Sequence, residues 1–402
     1  MAGPLKYAIL SSLKDDFLND LGSGYIREFL KMGAVFIDYE EEYLRHGNRK
    51  VQEIIQKTLD ENATEVLIYQ ASPSDFHFSL EFFQKLREKV FTVMTLGDSD
   101  HYFDIRDIYY AQCMDLVVVY DCLTRYRFRQ YGVDAISFYS SFDSDIYTRR
   151  ALSPRTIDVS FIGDTANKME RRRYIDYMAE RGMPVEVFGT GSENGQVTLE
   201  RMVEIFNSTK INLNFTGISL KNAIRREPNI NLRLRQIKGR LSEIALCGGF
   251  VLTEHVPGIE EVFEVDNEIV TFDSREELVD KANYYLKNDA ERERIANNGH
   301  ARALKEYSLK TAVPRLISRI EEIKKNSGKK TEKDVFVDGV FVKNYVTFRV
   351  ELITRLLRSG KWALVLEELL LILKNRKINF RKAAGISIFS LFPPLKKIYL
   401  RL

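Results

Sequence analysis

Residues 238–286 read KGRLSEIALCGGFVLTEHVPGIEEVFEVDNEIVTFDSREELVDKANYYL, and the order of residue types in this stretch sets the architecture. The apolar spacing up to Cys247 predicts a helix. The glycines Gly248 and Gly249 predict its end, because glycine enters the left-handed backbone of a helix C-terminus without a Cβ penalty. The apolar run 250–253 then reads as a strand, followed by a Pro257-Gly258 loop, a short helix, a second apolar run at 269–272 and a helix over 275–287. Strands alternating with helices in this way form a parallel sheet covered by helices. The same stretch carries chemistry. A Pro-Gly loop lets backbone amides approach a ligand closely, helix N-termini attract phosphate, and Arg240 adds a charge-assisted contact. Glu243 is suited to accept the two hydroxyl hydrogens of a ribose.

The pattern continues outward in both directions. Upstream, strands are expected at 157–163, 185–188 and 211–215, with helices at 168–180, 199–207 and 234–247; downstream, a helix covers 290–307. The first part of the chain repeats the scheme, with strands at 7–11, 34–38, 65–69, 91–96, 116–120 and 135–139 and helices at 51–59 and 80–88. A break at 147–154 separates the two halves. A chain of 402 residues exceeds what one hydrophobic core usually supports, so two α/β domains are expected, 1–150 and 151–325. Ligands of open parallel sheets sit beyond the carboxyl ends of the strands, which predicts a cleft between the two. Residues 326–402 then read as a linker, SGKKTEKD, and a basic, amphipathic appendage.

Composition removes several classes. Sixty Lys and Arg nearly balance 57 Asp and Glu, so no bulk nucleic-acid partner is indicated. Cys113, Cys122 and Cys247 are too few and too irregularly spaced for a disulfide framework or a zinc site, and a reducing cytoplasm is expected. The start, MAGPLKYAILSS, lacks the hydrophobic region of a signal peptide, and no apolar run is long enough to span a bilayer. His46, His77 and His300 have no ligand spacing, so no metal is expected.

With Arg240, Glu243, Cys247-Gly248, Glu254, Gly258, Glu260, Phe263 and Glu268, then EEL at 276–278 and YYL at 284–286, the sequence resembles the CgeB-like (spore maturation protein B-like) glycosyltransferases of the GT-B superfamily. FIGD at 161–164, the arginines 171–173, VFGTG from Val187 and STKINLN at 208–214 follow in the same order. In the first half only LGDSDHYFD, at 96–104, and Asp121 match, as an acidic turn. The resemblance implies two Rossmann-like domains facing a central cleft, with acceptor on the first and nucleotide diphosphate sugar (a UDP- or GDP-sugar) on the second. It also implies no bound metal and no permanently bound cofactor. Glu243 would hold the ribose and Arg240 the diphosphate, with Gly163, Gly189, Glu254, His255, Gly258, Ile259 and Glu260 around the donor. One departure stands out: related retaining families carry a second glutamate eight positions before the ribose glutamate, where this chain has Arg235.

Each residue also has a plainer reading. Glu243 also reads as an exposed helix carboxylate, Arg240 as a surface salt-bridge partner, Cys247 as packing, Arg171 to Arg173 as a solvated helix face, and His255 as a loop residue facing water. An inverting enzyme needs a base on the acceptor side, for which Asp98, Asp100 and His101 are the candidates, with a capped turn as the alternative. The resulting expectation is sugar transfer to a carbohydrate, lipid-linked or protein hydroxyl in surface polysaccharide, glycolipid or glycoprotein assembly. An inactive GT-B-like scaffold and a nucleotide-sugar epimerase are the alternatives. The basic tail, with Ile378, Phe380 and Phe389 among its charges, suits contact with the inner face of a membrane, a subunit interface or packing on its own domain.

Overall fold

The computed structural model describes residues 5–12, 24–70, 76–97, 99, 102–150, 155–217, 235–328 and 334–375. In chain order the first half contains β1 (Tyr7–Ser11), α1 (Gly24–Lys31), β2 (Val35–Asp38), α2 (Tyr39–His46), α3 (Asn48–Glu61), β3 (Val66–Gln70), α4 (Leu80–Lys89), β4 (Phe91–Leu96), α5 (Ile108–Ala111), β5 (Leu116–Val119), α6 (Cys122–Gln130) and β6 (Ala135–Ser137). The second half contains β7 (Ile157–Ile162), α7 (Met169–Glu180), β8 (Glu186–Phe188), α8 (Leu199–Ser208), β9 (Thr209–Asn214), α9 (Arg240–Leu246), β10 (Val251–Glu254), β11 (Val270–Phe272), α10 (Arg275–Lys287) and α11 (Asp289–Glu306). Three more helices follow: α12 (Leu309–Asn326), α13 (Gly339–Arg358) and α14 (Trp362–Asn375).

The strands form two sheets, ordered β2-β1-β3-β4-β5-β6 and β11-β10-β9-β7-β8, and every strand pair is parallel. Runs such as YAILS in β1 and FTVMTL in β4 are buried along their whole length, as expected of strands covered by helices on both faces. Side-chain caps fix several helix starts: Asp38 accepts from the Glu41 amide, Ser79 from Phe82, Asp121 from Leu123 and Thr124, and Ser274 from Glu277.

The helix expected over 234–247 is shorter than its sequence pattern. Arg235 pairs with Gly217 in an isolated bridge, and the Gln236 amide donates to the Thr216 carbonyl at 3.0 Å. The backbone there extends the end of β9, so helical bonding begins only at Gly239. The other end is as expected: Gly248 has φ +68°, and the amides of Gly248 and Gly249 close onto Ala245 and Ile244.

The chain passes between the sheets twice, and the two passages are bonded to each other. Phe142 donates to the Tyr307 carbonyl at 3.0 Å and accepts from the Leu309 amide at 2.9 Å. Beyond this crossing α12 returns to the first sheet, where Leu309, Val313, Leu316, Ile317 and Ile320 pack with Ile9, Phe29 and Val118.

Helices α13 and α14 also pack on the first half, with Phe341, Phe348 and Leu352 entering its core beside Phe76 and Phe78. Their anchor is ionic. Arg349, fully buried, donates to the Tyr43 hydroxyl at 2.7 Å and the His77 carbonyl at 3.3 Å, and its guanidinium lies 3.4 Å from Glu368 of α14. Tyr43 in turn donates to Glu368. Glu368→Ala leaves the guanidinium buried without its carboxylate. The expected cost is about 3–5 kcal/mol, read as a lower midpoint of urea denaturation.

Candidate functional site

A cavity of about 410 Å³ lies between the two sheets. Its first-half wall is largely aromatic: Tyr25, Tyr120, Phe138 and, from the crossing strand, Phe142. Tyr25 is fixed by a 3.0 Å hydrogen bond to Thr95, and burial holds its phenol well above the usual range. The opposite wall is cationic. Gly163 at the end of β7, Arg171 of α7, and Lys238, Arg240 and Glu243 at the start of α9 line it.

Glu243 is gripped from two sides. One carboxylate oxygen lies 2.7 Å from the Arg240 guanidinium, and the other accepts from the Tyr147 hydroxyl at 2.9 Å. Tyr147 belongs to the segment joining the halves and is buried against Phe142, so the position of α9 is tied to the crossing. Burial, then the Glu243 carboxylate, push the Tyr147 phenol far above its ordinary pKa; it is a fixed donor. Arg240 is oriented further by Met202 and by the Phe206 ring, 5.4 Å from its guanidinium carbon.

Arg171 separates from its neighbours in sequence. Arg172 is exposed and paired with Asp176 at 3.0 Å, and Arg173 faces water, whereas Arg171 turns toward the cavity. Its guanidinium donates to the Asp164 carbonyl at 3.4 Å and lies 5.7 Å from the Phe161 ring centre. Burial lowers the Arg171 pKa from its ordinary value; Asp164 opposes the fall and Arg240 adds to it. Two partly desolvated guanidiniums that repel each other across one cavity are arranged for an anion.

The glycine residues serve close approach. Gly189 has φ +110°, and a Cβ there would lie 2.5 Å from the Gly163 carbonyl oxygen. It therefore allows the two strand-end turns to nest, with the Gly163 amide bonded to the Phe188 carbonyl at 2.8 Å.

The remaining residues singled out in the sequence lie elsewhere. Glu254 does not line the cavity; it accepts from the Thr216 amide at 3.0 Å, the Thr216 hydroxyl at 3.1 Å and the Gly217 amide at 3.3 Å, and pairs with Arg235 at 3.1 Å. Arg235, at the position where a glutamate was of interest, thus anchors the end of β10 and also donates to the His255 carbonyl at 2.8 Å. His255 pairs with Glu260 at 3.0 Å, which holds Glu260 below the usual carboxylate range. Ile259 is core.

The loop around Gly258 and Glu261 meets the first half instead. Cys122 donates to the Gly258 carbonyl at 3.3 Å, and Glu261 accepts from Arg125 at 3.0 Å and Tyr126 at 3.1 Å. Burial, with Asp121 beside it, pushes the Cys122 thiol up to about 11, so it packs rather than reacts. Cys247 is raised too, by burial and then Glu243, and is likewise a packing group.

Asp98, Asp100 and His101 lie outside the described residues. Asp121, from the acidic turn, is the cap of α6. Among the described residues no group of three or more His, Cys, Asp or Glu is placed to hold a metal ion. Sequence reasoning missed Tyr147, Lys238 and the aromatic wall. Tyr147 lies 96 residues from Glu243, and no local pattern announces such a partner.

Residues 170–318 match a family described as glycosyl transferase-like. No curated protein matches the chain in sequence. Among solved structures, a sucrose-phosphate synthase from Thermosynechococcus elongatus is similar at a TM-score of 0.58 and 10% identity, over 80% of this chain and 100% of that one. HepE from Anabaena, solved in complex with UDP, is similar at 0.56 and 12%, over 79% and 100%. A glycosyltransferase from Rickettsia africae is similar at 0.51 and 11%, over 80% and 100%. At such identities the likeness establishes the fold, which is GT-B, while residues 170–318 are similar to the glycosyl transferase-like family.

The nested turns give a prediction. Gly189→Ala is forced into an unfavourable backbone and against the Gly163 carbonyl. It is expected to cost about 1–3 kcal/mol, read as a lower melting temperature.

Proposed function

We propose that the protein is a glycosyltransferase of the CgeB-like type that moves a sugar, a hexose or similar, from a UDP- or GDP-sugar to a hydroxyl acceptor. The observation that carries this reading is the cationic wall of the cavity, where Arg171, Lys238 and Arg240 stand beside Glu243. In this reading the diphosphate sits between Arg171 and Arg240. The ribose hydroxyls take the Glu243 carboxylate in place of part of its present bonding to Tyr147 and Arg240. The UDP found in the HepE structure supports a nucleoside diphosphate as the ligand class.

The chemistry follows from charge. Breaking the bond between sugar and diphosphate builds negative charge on the departing phosphate oxygen. Preoriented guanidiniums in a partly desolvated site stabilise that charge more than they stabilise the ground state. The acceptor approaches from the aromatic, first-half wall, and Asp98, Asp100 or His101 supplies the base if the reaction inverts. The acceptor belongs to surface polysaccharide, glycolipid or glycoprotein assembly, and the enzyme works in the cytoplasm at the inner face of the membrane.

Thermal-shift titration with UDP and GDP tests the site. A ligand that binds the native state raises the melting temperature, and Arg240→Ala and Glu243→Ala are each expected to weaken the preferred nucleotide by about tenfold or more. Unchanged affinity in both variants discards the site. Product analysis with donor alone separates transfer from epimerisation, and absence of any turnover with a tightly bound donor points to a scaffold.

A further inference from the structure

Helix α14 presents its two faces very differently. Val365 and Glu368 are buried, Glu368 against Arg349, and Glu367 accepts from the Arg49 amide at 3.0 Å. Both acids of the helix are therefore engaged with the body of the protein. On the outward face Trp362 is 70% exposed, Leu366 59%, Leu369 42%, Leu370 58% and Leu373 67%. At 3.6 residues per turn these five positions fall within an arc of about 100°. Isolated exposed leucines are ordinary, but a continuous stripe ending in tryptophan, with no charge inside it, marks a contact surface.

Charge identifies what the surface meets. From Lys374 to the end of the sequence there are eight Lys and Arg and no Asp or Glu. Arg358, in the last turn of α13, is exposed near the start of α14. A second copy carries the same positive surplus, so charge does not favour it as the occupant. An anionic surface is attracted by the same charge, and Trp and Leu enter the interface between head group and acyl chain. Among the described residues no helix is long and apolar enough to cross a membrane, so the contact lies along the surface.

We infer that the outward face of α14 docks on an anionic lipid bilayer. The Trp362–Leu373 stripe sits in the interfacial layer, and the surplus of Lys and Arg in the sequence from Lys374 onward attracts the anionic lipid. This gives the membrane contact of the proposed function a defined surface, and it stands independently of the donor site because it rests on a different face.

Co-sedimentation of the full chain with vesicles of phosphatidylcholine alone, or with phosphatidylglycerol added, tests it. Binding is expected to the mixed vesicles only, and to fall with added salt. The variant Trp362→Ser/Leu366→Ser/Leu370→Ser changes exposed positions only. The variant Lys374→Gln/Arg376→Gln/Lys377→Gln/Arg381→Gln/Lys382→Gln removes charge without touching the stripe. Each is expected to lower partitioning by about tenfold or more while leaving the nucleotide thermal shift unchanged. The inference is overturned if the parent stays in the supernatant with anionic vesicles, or if the stripe variant partitions within about twofold of it. It is also overturned if the parent is a dimer that the stripe substitutions dissociate and that does not bind vesicles. The nucleotide thermal shift, measured on the same samples, reports on the donor site separately.

Discussion

Arg171 and Arg240 enter one cavity from two different helices, and the Arg240 charge adds to the cost that burial places on Arg171. Keeping two like charges close in a cleft is unfavourable, and the protein compensates the two differently. Arg240 has the Glu243 carboxylate at 2.7 Å; Arg171 has the Asp164 carbonyl and the Phe161 ring in contact, with the Asp164 and Glu254 carboxylates acting on it without a direct ion pair. The surplus positive potential, focused between low-dielectric walls, is the source of any affinity for a diphosphate. The rest of the site serves to hold that arrangement: Tyr147 fixes Glu243, Met202 and Phe206 fix Arg240, and Gly189 lets the turns at the ends of β7 and β8 nest beneath it.

The position of the two halves is set by polar contacts together with a core they share, in which Cys122, Tyr139 and Tyr147 pack with Val262, Phe263 and Tyr307. Phe142 is bonded on both sides to the returning chain at Tyr307 and Leu309, and Ser308 meets Ser144 at 3.0 Å. Across the cleft, Cys122, Arg125 and Tyr126 take hold of the loop at Gly258 and Glu261. Arg125 is half-buried and Cys122 is buried against Gly258, so this second clasp combines packing with its ion pair. The loop that the sequence associates with the donor therefore connects the halves.

Much of the fold is legible in the amino-acid order because parallel strands announce themselves as short apolar runs. Those at 91–96, 157–163 and 250–253 lie within a residue or so of β4, β7 and β10. The start of α9 is not legible, since the apolar spacing continues back to residue 234 while the backbone at Arg235 and Gln236 is claimed by β9's extension and by Glu254. The site is legible in part. Gly163, Arg240 and Glu243 line the cavity because a local pattern, strand end or helix start, positions them. Which of three consecutive arginines turns inward depends on the packing of α7 and is invisible in the run itself. Glu254 and His255 have the residue types of a donor loop, yet their partners, Thr216, Arg235 and Glu260, engage them in holding the sheet end. Contacts such as Tyr147 with Glu243 and Arg349 with Glu368 depend on the folded path of the whole chain.

The most direct measurement is a crystal structure of the protein soaked with UDP. Density for the diphosphate between Arg171 and Arg240, with a ribose hydroxyl within hydrogen-bond distance of the Glu243 carboxylate, is the predicted result. A nucleotide bound elsewhere, with both guanidiniums unmoved and the cavity empty, would contradict the account.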